Sequence, residues 1–226
     1  MGWFSRRILY GMEQGAVGRP GRGEDIANSL THGVGAVLAV AGLVVLALSA
    51  SRGGTASTVV GCVVFGATLV LLYSASTLYH SLGHGRAKAV LRALDHSAIF
   101  LLIAGTYTPF TLVSLRGPWG WSLFGVVWGL AVAGIALRLT LRRRPTALFV
   151  ALYLAMGWCV VVAAKPLLAA VAPEGIALLV AGGLAYSLGV VFYALRRPYH
   201  HAIWHAFVLA GSAFHYAAVL RYVALA

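Results

Sequence analysis

Seven apolar stretches, each near the roughly 20 residues that a helix needs to cross a bilayer, set what this chain can fold into. They fall at 30–51, 56–80, 93–115, 119–140, 146–168, 175–196 and 201–223. Inside lipid a backbone must satisfy its own hydrogen bonds, so such stretches are expected to be helices. The breaks between them are short and built from Gly, Pro and charged residues, as in Ser51-Arg52-Gly53-Gly54, Arg116-Gly117-Pro118 and Pro173-Glu174-Gly175. Short connections join antiparallel neighbours, which predicts one all-α bundle over 30–226 behind a short N-terminal segment, 1–29. Pro145 suits a first helical turn, whereas Pro109 sits inside the third stretch and predicts a kink. The polar, glycine-rich start is unlike a cleaved signal peptide, so the first stretch is expected to act as its own insertion signal.

Composition agrees with an integral membrane protein: 61% of the 226 residues are hydrophobic and 10% are charged. The formal charge of +12 is spread between the apolar runs, so it argues for the positive-inside rule and against a nucleic-acid partner. Arg6, Arg7, Arg19 and Arg22 precede the first stretch, and Arg86, Lys88 and Arg92 lie between the second and third. Arg138 and Arg142 to Arg144 flank the fourth-to-fifth turn, and Arg196 and Arg197 the sixth-to-seventh. The other side has Arg52, Arg116, Lys165 and Arg221. This asymmetry predicts a cytoplasmic N-terminus and, after seven crossings, a C-terminus outside. Cys62 and Cys159 both lie in apolar runs and read as packing residues.

On that topology most titratable groups converge on one leaflet. His32 opens the first stretch, His80 ends the second, Asp95 and His96 begin the third, and His201 and His205 begin the last. His201 and His205 are one helical turn apart, so both rings lie on one face. With His80 they make a set of three neutral nitrogen donors, the pattern of a catalytic zinc site with one position open. An intramembrane carboxylate such as Asp95 demands a functional explanation, and it could accept a proton from activated water. Ser76, four residues before His80, shares that histidine's face and could hydrogen-bond the water or a developing oxyanion. His84, His96 and His200 read as interfacial, and His215 as a hydrogen-bonded packing residue deep in the bundle. The tryptophans near the ends of the stretches read as an interfacial belt. Glu24, Asp25 and Asn28 are expected to cap a short interfacial helix ahead of the first span. The one lysine at a span, Lys165, lies near an outer face, which makes a retinal-binding protein a poor reading.

The ordered motifs Glu24-x-x-x-Asn28-x-x-Thr31-His32, Ser76-x-x-x-His80, Leu94-Asp95-His96-Ser97 and His201-x-x-x-His205 carry a resemblance. So does Gly105-Thr106-Tyr107-Thr108-Pro109-Phe110. The chain resembles the bacterial hemolysin III proteins of the progestin and adipoQ receptor family, which includes the adiponectin receptors. The resemblance extends from Glu24 to about Val219. It implies seven helices with a cytoplasmic N-terminus, a zinc ion on His80, His201 and His205, and Asp95 and Ser76 beside the zinc-bound water. It also implies ceramidase-like amide hydrolysis, or a role in membrane-lipid and fluidity homeostasis, and residence in the bacterial plasma membrane. The stretch between His80 and Asp95 is shorter than in the receptors and their long N-terminal domain is missing, so their protein ligands are not carried over.

The function expected from the sequence is therefore zinc-dependent hydrolysis of a lipid amide or ester, with membrane lipids as partners. The alternatives are a fluidity sensor in which zinc is a structural clamp, and a cytolytic protein. A pore through the monomer is not expected, because the spans show no continuous polar path across the bilayer.

Overall fold

A computed structural model describes residues 21–141, 145–195 and 197–226. Arg6, Arg7, Arg19, Arg142, Arg143, Arg144 and Arg196, all used in the orientation argument, lie outside the described residues. Every regular element among the described residues is helical. In chain order they are α1 (Arg22–Gly53), α2 (Ala56–Ser81), α3 (Arg86–Pro109), α4 (Gly117–Thr140), α5 (Thr146–Gly157), α6 (Ala164–Ala170), α7 (Pro173–Leu195) and α8 (His200–Val219). π-helical turns extend α3 through Phe110–Ser114 and α8 through Leu220–Ala224, and a tight turn of 3-10 helix at Cys159–Ala163 joins α5 to α6. Together they give seven helices long and apolar enough to span a membrane.

The helices form a closed bundle. α1 packs on α2 and α8, α2 on α3, α3 on α4 and α5, and α7 on α8. The third span is the most enclosed, and its Phe100, edge to face on Phe149, belongs to the buried core with Phe65, Val127 and Met156. Val37, Leu38, Leu48, Val132, Val162 and Leu188 are exposed, as side chains facing lipid tails should be. Arg138 is the opposite case. It is buried at the end of α4, with its guanidinium 4.8 Å above the ring of Phe149.

Three boundaries differ from those the sequence suggests. α1 begins at Arg22 and α3 at Arg86, several residues before the apolar runs do. Glu24, Asp25 and Asn28 therefore belong to the first turns of α1 itself, not to a separate interfacial helix, and Lys88 and Arg92 belong to α3. Hydropathy marks where lipid begins, but a helix continues beyond it until its backbone groups find other partners. The fifth span is not one continuous helix. Pro166 lacks an N–H and is tolerated in the first turn of α6, with the chain tightened just ahead of it. At Pro109 the regular α-helix ends and passes directly into the π-helical turn.

Candidate metal centre

α2 and α8 bring three histidines together at the end of the bundle where α1 begins. His80 closes the last turn of α2, and His201 and His205 are in the first two turns of α8. One nitrogen of each lies within 4.8 Å of the others, and among the described residues this is the one such group of potential metal ligands. The ring centroids are 5.1 Å apart for His80 and His201, 5.2 Å for His80 and His205, and 4.6 Å for His201 and His205. His200, next in sequence, turns away and meets Phe192 edge to face.

Hydrogen bonds decide which nitrogens are free. His80 Nδ1 is 3.4 Å from Asp25 Oδ1; a carboxylate only accepts, so Nδ1–H is the donor. That leaves His80 Nε2 as the lone-pair nitrogen, buried and with no hydrogen-bond partner among the described residues. His205 Nδ1 lies 3.2 Å from Asn28 O and 3.2 Å from Thr31 Oγ1. The carbonyl fixes the proton on His205 Nδ1 in the same way, and Nε2 is again free to ligate. Buried imidazoles whose far nitrogens are tied to oxygen acceptors are what a metal site requires of its ligands. The donor set fits a divalent ion of the kind imidazole prefers.

Asp95 and Ser76 line a cavity of about 140 Å³ with His32, His201 and His205. Both are buried. Ser76 Oγ lies against Asp95, yet makes no hydrogen bond of standard geometry among the described residues. Asp95 Oδ2 is 3.4 Å from His96 Nδ1, whose N–H also donates to Arg92 O at 2.9 Å. His96 therefore sits beside the carboxylate and is more than an interfacial residue. The rest of the cavity is mostly apolar, with Leu72, Leu102, Leu154 and Val208 in its wall. A second apolar cavity, of about 110 Å³, shares Thr106, Tyr107, Gly157, Trp158, Gly183 and His215 with the first and reaches Leu115, Leu123 and Ile176 toward the other end. His215 donates its Nε2–H to Leu179 O, 3.0 Å away, as a packing histidine should.

Two residues that the sequence placed near this end, but gave no role at the histidine group, belong to its surroundings. His32 stacks on His205 with centroids 3.5 Å apart and planes 11° from parallel, and packs edge to face on Tyr73. Asp25 reaches His80 from another helix. The spacing of Asp25, Asn28 and His32 puts them on one helix face, which marks that face as polar without saying what it meets.

The match to known proteins covers nearly all of this architecture. The model of the family described as haemolysin-III related matches residues 22–216. Hemolysin-3 of Bacillus cereus is 48% identical over 201 residues, which cover 88% of this chain and 92% of that one. The Hemolysin-3 homolog of Bacillus subtilis (strain 168) is 46% identical over 200 residues, 88% of this chain and 94% of its own. Further away, the human monocyte to macrophage differentiation factor is 29% identical over 212 residues, 88% of this chain and 84% of its own.

Proposed function

The chain belongs to the haemolysin III-related family, which its sequence matches over residues 22–216, and from that premise we propose that it is a zinc-dependent hydrolase of a membrane-lipid amide or ester. The observation that carries the reading is the group of three histidine nitrogens within 4.8 Å of one another, beside a cavity walled by Asp95, Ser76 and apolar side chains. His80, His201 and His205 would hold the ion. Zinc bound there supplies Lewis-acid chemistry, polarising a carbonyl oxygen and making water nucleophilic near neutral pH. Asp95 takes the proton of the attacking water on a carboxylate oxygen and returns it to the leaving amine or alcohol. Ser76, whose hydroxyl has no standard partner, donates to the carbonyl oxygen as it gains charge. The apolar cavities supply room for the tail of a lipid and exclude bulk water from the carbonyl. The bacterial plasma membrane is the natural setting of such a substrate.

A structural clamp is the second reading, because an ion on these ligands would also tie α2 to α8. Metal content and turnover separate the two. Detergent-purified wild type is expected to carry about one zinc per chain, lost in His80→Ala and in His201→Ala. Asp95→Asn should keep the zinc and lose turnover of a ceramide by about 10²-fold or more. A clamp predicts instead that Asp95→Asn has no effect while His80→Ala lowers the melting temperature. A wild type free of stoichiometric metal, purified without chelator, would falsify both.

A further inference from the structure

α1 contributes no ligand to the histidine group, yet two of the three ligands lean on it. Asp25 Oδ1 receives the Nδ1–H of His80 at 3.4 Å. One turn further along, Asn28 O and Thr31 Oγ1 receive the Nδ1–H of His205, each at 3.2 Å. The threonine hydroxyl is free to accept there because its own proton goes to Ala27 O at 2.9 Å. Residues 25, 28 and 31 are three apart, so these contacts run down one face of α1. Glu24 reaches the third element of the site. Its Oε1 accepts from the backbone N–H of Tyr199 at 2.7 Å, two residues before His201. Tyr199 caps α8 with φ at 62°, a left-handed conformation that a non-glycine residue rarely holds unaided.

We propose that Asp25 is a positioning residue for the metal centre, fixing the tautomer and ring orientation of His80, with the N-terminal turns of α1 serving as the supporting layer for the ligands on α2 and α8. The inference rests on the metal reading of the site. An acidic residue in the first turn of a helix is ordinary, since it meets the positive end of the helix dipole. Glu24 already fills that role, accepting from Gly21 N–H at 3.0 Å, so capping does not explain why Asp25 faces a ligand. Metal-bound histidines depend on such carboxylate partners, and their removal weakens metal affinity by about 10–100-fold. Lys88 of α3 holds the other carboxylate oxygen at 3.7 Å, and donates to Leu82 O at 2.8 Å. It pairs with the oxygen that His80 does not use, so the His80 contact does not depend on it.

The experiment is a zinc titration of detergent-purified full-length protein against a competing fluorescent chelator, with the melting temperature of the metal-free form measured beside it. Asp25→Ala is expected to bind zinc about 10–100-fold more weakly than wild type while its metal-free form melts as wild type does. Asp25→Asn keeps an acceptor for His80 and should recover part of the affinity. Lys88→Met should bind zinc as wild type does. Wild-type affinity in Asp25→Ala overturns the assignment. So does a loss in Lys88→Met as large as in Asp25→Ala, or a metal-free melting temperature that falls in Asp25→Ala and stays low in Asp25→Asn, because either marks a contact that only braces the helix ends. A wild type that binds no zinc fails at the earlier step and removes the metal reading itself.

Discussion

His32 sits 3.5 Å, centroid to centroid, from His205 of the candidate metal group, yet brings no ligand atom to it. Its ring fills the space between His205 and Tyr73, and it is 3% exposed. Removing a side chain so enclosed leaves its neighbours without contact atoms on one side, which in protein cores costs about 2–5 kcal/mol. His32→Ala is therefore expected to lower the melting temperature markedly, and His32→Phe, which keeps a flat ring on His205, to lower it much less. Equal melting of His32→Ala and wild type would show that the stack contributes nothing. At this scale the sequence disclosed part of the site. The one-turn spacing of His201 and His205 placed both on one face, and helix ends placed His80 near them. It could not disclose that Asp25 meets His80 or that His32 meets His205. Those contacts depend on how far α1 slides along α2 and α8, and no local pattern encodes that register.

Between elements, one close approach that the sequence left unread is that of α2 to the end of α3. A Cβ placed on Gly61 would lie 2.9 Å from the Cα of Pro109, inside the limit of real contacts and against backbone that cannot swing aside. Glycine lets the two backbones meet where α3 gives way to its π-helical turn. Gly61→Val should destabilise the protein by about 1–3 kcal/mol, the usual result of overpacking, seen as an earlier thermal transition in detergent. Gly129 of α4 has nothing within 4 Å of its added Cβ, so Gly129→Ala should melt at or slightly above wild type. A Gly61→Val protein no less stable than Gly129→Ala would show that α2 and α3 can part at no cost. The spans themselves were legible because twenty apolar residues in lipid have few alternatives to a helix. Their polar extensions, and the break ahead of Pro166, were not. Each lies where hydropathy is either silent or unbroken, although Pro166 itself was in plain view.

For the molecule as a whole, charge and site lie at the same end. Arg22, Arg86, Lys88, Arg92, Arg138 and Arg197 gather at the end of the bundle that holds the histidine group, whereas Arg52, Arg116, Lys165 and Arg221 lie toward the other. Basic residues near span ends are retained on the cytoplasmic side during insertion. We propose on that ground that the histidine group opens toward the inner leaflet, and that the odd number of spans puts the C-terminus outside. The two assignments stand or fall together, because the bundle joins them rigidly through seven crossings. A reporter enzyme that is active only after export, fused behind Ala226, should be active, and a fluorescent protein that matures only in the cytoplasm should be dark at the same position. Moving both fusions to the turn after Ser81 should reverse the pattern, since that turn lies at the histidine end. The opposite result at both positions would turn the molecule over. The site would then draw its metal and its lipid from the outer leaflet, and the basic residues beside it would need another explanation.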